Sequence, residues 1–250
     1  QTGLIMLYRA TIYKFKKGLK NYAYFFGVFF LFTLFFICVG FFLQNGETSH
    51  IHVNWTFLLI FSSFVIAFAY RPIQFKLMNQ VGLTRRNDWL SDTLASIFAI
   101  FLVTVSVWLL EPLINGVTIG SVMIETDINL KTFTWQVLAY YAGLSYVFCL
   151  ILHHVGAIFG FIIHRFGYKM ILILGIILFV SQIVIKMIVI ALSQADPLMA
   201  KEIVTFVFNE IAYLLSGIFS WKLLLGLITS LFISVLIHYF VTKYYAAKVA

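Results

Sequence analysis

Charged side chains are scarce in this chain: Asp, Glu, Lys and Arg make up 10% of its 250 residues, against about 25% in a typical soluble domain. Hydrophobic residues account for 62%, compared with about 45–50% in soluble proteins. A water-soluble fold cannot bury that much apolar surface, so the composition predicts an all-α membrane protein. Spans of about 20 residues each fill most of the chain, and we expect a single transmembrane domain over residues 1–250.

The sequence also lacks the short motifs of catalytic and nucleotide-binding sites. No glycine begins the phosphate-binding pattern that ends in Lys-Ser/Thr, and neither His-Glu-x-x-His nor Gly-x-Ser-x-Gly occurs. The two cysteines, Cys38 and Cys149, lie in apolar runs and have neither a paired framework nor metal-ligand spacing. We therefore expect no catalytic residue, and no metal or cofactor bound by the chain itself.

Six apolar runs are suited to crossing a bilayer as helices. Backbone polar groups in hydrocarbon must be satisfied within the segment, and these runs are too uniformly apolar for the alternating strands of a barrel. Six spans place both termini on the same side of the membrane. The predicted spans are Tyr22–Leu43, Trp55–Tyr70, Thr93–Leu110, Phe133–Ile163, Met170–Leu192 and Leu223–Val241.

Basic residues outside these runs are distributed unevenly between the two sides. Thirteen lie on the side of the termini and three on the other side, and Lys and Arg are enriched in cytoplasmic loops, so both termini are predicted to be cytoplasmic. The net charge of +8 then indicates interaction with lipid headgroups and not binding to nucleic acid. The thirteen are Arg9, Lys14, Lys16, Lys17, Lys20, Arg71, Lys76, Arg85, Arg86, Arg165, Lys169, Lys243 and Lys248; the three are Lys131, Lys201 and Lys222.

Residues 1–21 form a basic segment ahead of the first span. Four basic residues, Arg9, Lys16, Lys17 and Lys20, fall off a stripe of apolar residues spaced by 3, 4, 3 and 4, namely Ile5, Tyr8, Ile12, Phe15 and Leu19. This pattern predicts an amphipathic helix that lies along the cytoplasmic interface. The simpler alternative is a basic flank that sets the topology of the first span.

The loop between the second and third spans has the features of a short cytoplasmic helix. Pro72 suits the first turn of a helix, and Gly82 is placed to end it. Phe75 and Met78 are the apolar residues that this helix would present to a partner in the cytoplasm. Alternatively, both side chains tuck into the lipid headgroups.

The segment from Asp196 to Lys222 is too long and too apolar for a plain external loop. Glu202 and Glu210 lie inside it, and a full crossing would carry one of these charges deep into hydrocarbon. We predict a re-entrant hairpin over residues 196–222 that dips into the outer leaflet. A surface helix packed on the outer ends of the bundle is the alternative.

The fourth and fifth spans hold the polar residues that suggest a substrate path. Tyr141 and Ser145 belong to a polar-aromatic stripe, which is either an interfacial belt or the wall of a cavity. His153 and His154 are adjacent and face about 100° apart on a helix, which disfavours a shared metal and favours interhelical hydrogen bonds or a cavity lining. Lys186 either extends its ammonium to the outer headgroups or contacts an anionic substrate.

This organisation resembles the ABC-2 type permease, the membrane subunit of one class of ATP-binding cassette exporter. The segment Asn79-Gln-Val-Gly-Leu-Thr-Arg-Arg-Asn-Asp-Trp89 is similar to the Gly-x-x-Arg-(Lys/Arg)-x-x-aromatic pattern of small permeases from Gram-positive bacteria. The architectural resemblance extends over essentially the whole chain.

The resemblance implies a partner and a location. It makes the loop helix a coupling helix that docks on a separate cytoplasmic ABC ATPase, which would bind ATP and Mg²⁺, and its docking residues would be Gln74, Phe75, Met78, Gly82, Arg85 and Arg86. A second permease subunit, identical or related, would complete the path in the bacterial cell membrane. Expected cargo is hydrophobic or amphipathic: a peptide such as an antimicrobial peptide, a lipid or a drug. The alternatives are a non-pumping immunity or binding protein and an ion-coupled secondary transporter.

Overall fold

The computed structural model of the chain describes residues 2–43, 49–119, 122–126, 135–167 and 221–245, together with eight single residues between 169 and 187. Within these residues, five helices are long and apolar enough to cross a membrane. The prediction of a mainly helical fold with several helices able to span a membrane is confirmed. The helices are α1 (Thr2–Leu43), α2 (Trp55–Gln80), α3 (Arg85–Ile114), α4 (Trp135–Phe166) and α5 (Trp221–Tyr245).

Parts of two predictions fall outside the described residues. The re-entrant hairpin over 196–222 is described only at Trp221 and Lys222, which belong to α5. Of the fifth span, 170–192, the structure describes seven separate residues, all helical. The described part of the chain therefore supplies helices for five of the six predicted spans.

The first helix is longer than predicted, because α1 runs without a break from Thr2 to Leu43. The amphipathic segment 1–21 and the span 22–43 are thus one helix. On the predicted apolar stripe, Ile5 and Tyr8 are exposed, whereas Lys14 is turned inward and is 3% exposed. The face of α1 that contacts the protein therefore carries a charge, Lys14, that the sequence pattern counts only toward topology.

The second helix continues ten residues past its predicted end at Tyr70. No separate loop helix begins at Pro72, which lies inside α2. The chain turns at Val81 and Gly82, where Gly82 has φ +81°, a conformation that favours glycine. Thr84 then caps α3, its side-chain oxygen accepting from the Asn87 N–H at 3.3 Å. The connection between α2 and α3 is therefore four residues long.

A small sheet, which the sequence analysis did not predict, joins two interhelical connections. It consists of β1 (Ser49–Val53), β2 (Thr118–Ile119) and β3 (Val122–Thr126), in the order β1-β3-β2. β1 pairs in parallel with β3, and β2 pairs antiparallel with β3. Because β1 precedes α2 and β3 follows α3, the sheet links the start of α2 to the end of α3.

The interface between α2 and α4 is the most extensive between described elements, and two glycines make it close. A Cβ at Gly156 or Gly160 would collide with the carbonyl oxygens of Phe64 and Phe68, respectively. Pro72 has no N–H, so the Phe68 carbonyl oxygen in α2 lacks the hydrogen bond that it would normally accept within the helix. Gly160 of α4 lies against this oxygen. Small residues four positions apart are the usual means by which membrane helices approach closely.

Candidate functional site: a buried ionic cluster

A buried ion pair joins α1 to the first turn of α3. Lys14 Nζ lies 2.6 Å from Asp88 Oδ1 and also donates to the Ser91 hydroxyl at 2.8 Å. The Asp88 carbonyl oxygen accepts a further hydrogen bond from the same ammonium at 2.7 Å. Three acceptors thus surround the ammonium group, as a charge withdrawn from water requires.

Arg71 of α2 links the same carboxylate to a second one. Its Nη2 donates to Asp88 Oδ2 at 2.6 Å, and its Nε lies 3.0 Å from Asp92 Oδ2. The guanidinium also lies over the ring of Phe161 in α4, 5.6 Å from the ring centroid. Asp88 and Asp92 are four residues apart, so both lie on the same side of α3, and Arg71 contacts both carboxylates.

His153 of α4 completes the cluster. Its Nε2 lies 3.6 Å from Asp92 Oδ2, so four helices contribute to one polar site. With a neutral imidazole, two cations face two carboxylates and the site has no net charge. Lys14, Arg71, Asp88, Asp92 and His153 define what we call the ionic cluster, and its four charged members are buried. Removal of one charged member would leave an uncompensated charge inside the protein.

A small cavity of about 40 Å³ borders the ionic cluster. Asn21, Tyr70 and Ser96 line it together with Arg71 and His153. A water molecule occupies roughly 10–15 Å³ on this measure, so the cavity has room for a few waters. Among the described residues, Asn21 Nδ2 and Arg71 Nη1 have no protein acceptor. The cavity therefore has a few polar groups in a mainly apolar lining, and its size suits water in contact with His153 and Asp92.

A second polar contact lies next to the cluster, between α4 and α5. His154 Nδ1 is 2.9 Å from His238 Nδ1, and both side chains are buried. When both imidazoles are neutral, one Nδ1 must donate and the other must accept, so a single proton lies between the two nitrogens. This contact agrees with the interhelical hydrogen bonding favoured by the sequence. Within the described residues, no group of three or more His, Cys, Asp or Glu is arranged to hold a metal ion.

The predicted docking residues separate into buried and exposed sets. Gln74, Phe75 and Met78 are buried, and Phe75 packs edge-on against Phe161 at 5.3 Å between ring centroids. The expectation that Phe75 and Met78 face the cytoplasm therefore needs correction: α2 continues past Pro72, which turns them into the helix bundle. By contrast, Gly82, Arg85 and Arg86 are exposed.

The residues predicted to line a substrate path do not meet at one place. Tyr141 stacks on Trp108 of α3, with ring centroids 6.1 Å apart, and Ser145 donates to the Tyr141 carbonyl at 2.8 Å. Of the predicted path residues, only His153 lines the cavity beside the ionic cluster. Lys186 lies outside the described residues.

The ionic cluster is absent from the predictions, because they treat Lys14 and Arg71 only as charges that set topology. A signal was nevertheless present. Asp88 and Asp92 are the two acids that the predicted topology leaves among thirteen basic residues on the cytoplasmic side, and they have helical spacing. An isolated acidic pair in so basic a region indicates ion pairing with nearby cations.

Comparison of the chain with models of known families, with curated proteins and with solved structures gives no match. The argument for function therefore rests on the residues of the ionic cluster and on the segments that it connects.

Proposed function

We propose that the chain is the membrane-spanning permease subunit of an ATP-driven exporter of the ABC-2 type. In this proposal a separate cytoplasmic ABC ATPase binds ATP and Mg²⁺, and a second permease subunit, identical or related, completes the path. Both termini are cytoplasmic, and the cargo is hydrophobic or amphipathic, in the class of peptides, lipids or drugs. The resemblance of the α2–α3 connection to small permeases motivates this choice.

The observation that carries the proposal is the position of the ionic cluster. Arg71 lies nine residues before the end of α2 and Asp88 in the first turn of α3, on either side of the connection that would contact the ATPase. Lys14 extends the cluster to α1, and His153 extends it to α4. A displacement of the connection would thus be passed to α1 by ion pairs and to α4 by the Asp92–His153 contact.

Such a cluster suits a coupling device more than a passive anchor. Binding of a partner changes a conformational equilibrium only by its different affinity for the two states. ATP-driven closure of the ATPases would supply that difference at the α2–α3 connection, and the ion pairs would carry it to α1 and α4. The Asp92–His153 separation of 3.6 Å is the longest in the cluster, which makes it the contact expected to break first.

The docking surface in this proposal differs from the one inferred by resemblance. Phe75 and Met78 are buried within the chain, so the surface shifts to the exposed Val81, Arg85 and Arg86. Val81 is 61% exposed and supplies the apolar part of the surface. The two arginines then face an acidic or polar rim on the ATPase.

The decisive experiment is purification of the tagged chain from its native membranes. We expect an ABC ATPase to accompany the wild-type chain in stoichiometric amount, and Arg86→Glu to reduce its recovery at least about tenfold, because it places like charges in contact with the partner. Lys20→Glu makes the same charge reversal on an exposed site of α1 and should leave recovery unchanged. Absence of an ATPase from the wild-type complex would refute the proposal.

A second candidate function is proton-coupled secondary transport. Asp92 lies two turns inside α3 and is buried beside His153 and the small cavity, which is the arrangement of a carboxylate and imidazole in a proton path. This function predicts that proteoliposomes holding a pH-sensitive dye take up protons when a cationic amphipathic peptide is added without ATP. His153→Gln would abolish that flux, whereas a pump would show none in the wild type either.

A further inference from the structure

A second cavity, separate from the ionic cluster, lies where the start of α1 passes the α2–α3 connection. It is an open groove of about 250 Å³. Met6, Ala10 and Tyr13 form its α1 side, and Met78, Val81 and Leu83 form the opposite side. We propose that this groove binds one anionic phospholipid of the cytoplasmic leaflet, with an acyl chain against the apolar walls and the phosphate on the basic rim.

The chemistry of the rim supports an anionic headgroup. Arg9 lines the groove and is exposed, and Lys17 lies over the ring of Tyr13, its Nζ 3.4 Å from the tyrosine hydroxyl and 5.7 Å from the ring centroid. Two cations and a hydroxyl thus border an apolar cleft. Basic pockets between helices at the cytoplasmic surface are a known form of site for anionic headgroups.

Charge on this side of the protein is of one sign at the surface. The predicted topology leaves Asp88 and Asp92 as the cytoplasmic acids, and both are buried in the ionic cluster, where they neutralise Lys14 and Arg71. The described lining of the groove contains Arg9 and no acidic residue. An anionic leaflet is complementary to such a surface, whereas a zwitterionic lipid is not.

The depth of the groove also matches lipid headgroups. Trp55 begins α2, and tryptophan is enriched at the membrane interface. Met78 follows 23 residues later, which at 1.5 Å per residue is about 35 Å along the helix, close to a hydrocarbon thickness of about 30 Å. If Trp55 marks the outer interface, the groove lies at the level of the inner headgroups.

Native mass spectrometry of the full chain in detergent, titrated with phosphatidylglycerol or phosphatidylcholine, tests the proposal. We expect the first phosphatidylglycerol to bind more tightly than phosphatidylcholine, and Arg9→Gln to weaken its binding about fivefold through loss of one basic contact. Val81→Asp places a negative charge in the groove and should abolish the preference. Lys16→Gln is the matched control, since it removes an exposed charge from α1 outside the groove.

Three outcomes would overturn the lipid assignment. These are equal affinity for the two lipids, equal losses for Arg9→Gln and Lys16→Gln, and phosphatidylglycerol binding that survives Val81→Asp. The groove would belong to a protein partner if Val81→Asp released an ABC ATPase while lipid binding stayed unchanged. The test needs no ATPase, so it stands or fails separately from the proposed transport function.

Discussion

Helix α2 is held to its neighbours in two different ways along its length. Against α4 it offers backbone carbonyls to Gly156 and Gly160, where a close approach of the two backbones makes the contact. Toward α1 and α3 it offers Arg71, which joins the ionic cluster. In a bilayer the lipid is as apolar as a leucine side chain, so burial of apolar surface drives helix association only weakly. The two contacts show two other ways of holding membrane helices together, which are close van der Waals packing in one place and ion pairing in the other.

The difference lies in how each contact fails. A close glycine contact depends on shape, and an added methyl group moves the helices apart. An ion pair depends on charge balance, and a lost partner leaves the other charges buried. The second failure costs more free energy, because a buried charge has no solvent to compensate it.

The strongest test of this comparison removes the shared carboxylate. Asp88→Asn keeps the size of the side chain but leaves Lys14 and Arg71 without their common anion, and we expect a loss of about 3–5 kcal/mol in the free energy of unfolding. Reversible unfolding in detergent, followed by circular dichroism, measures it. Arg86→Gln, at an exposed position on the same helix, should change stability by no more than about 0.5 kcal/mol. Similar small changes in both variants would mean that the ionic cluster does not hold α1–α3 together.

The glycine contact gives a smaller expected effect. Gly160→Ala drives a methyl group toward the Phe68 carbonyl, which is backbone and cannot rotate away, and we expect a loss of about 1–3 kcal/mol. Gly143→Ala is the control in the same helix, because nothing lies within 4 Å of its Cβ position. That variant should be neutral or slightly more stable, since alanine favours helix. Equal changes in the free energy of unfolding for Gly160→Ala and Gly143→Ala would contradict the view that the α2–α4 contact depends on close shape complementarity at Gly160.

The histidine contact should have the smallest effect. A double-mutant cycle with His154→Phe and His238→Phe should give a coupling free energy of about 0.6 kcal/mol, the average for interhelical hydrogen bonds in a membrane protein. As a reference, Cys149→Ala combined with His238→Phe should be additive. A coupling above about 3 kcal/mol would place this neutral pair with the ionic cluster and break the ranking.

Hydropathy predicted most of the described helices, and it placed their ends poorly for identifiable reasons. The predicted second span ended at Tyr70 because Arg71 and Pro72 follow it, yet α2 continues through both. Arg71 is tolerated because two carboxylates from α3 neutralise it. Such compensation comes from tertiary contacts, so a local reading of one segment does not reveal it.

The candidate site was only partly accessible from the sequence. His153 and His154 were selected as polar residues inside a span, and both make interhelical contacts. The inward position of Lys14 is not predicted, because the basic residues of this segment are treated only as charges that set topology. The sheet escaped prediction because its strands have two to five residues and pair across 73 positions of sequence, as Ser49 does with Val122.

The sheet has a mechanical consequence for the proposed transport cycle. β1 leads into α2 and β3 follows α3, while Val81–Thr84 connects the same two helices at their other ends. The end of α3 is also tied to β3, since the Asn115 side chain accepts from the Thr126 N–H at 3.0 Å. The two helices therefore form a closed frame whose members cannot splay at either end. We expect the conformational change to be a sliding of α4 along α2 and α3. Gly156 and Gly160 place no side chain at the α2 contact that would block this movement.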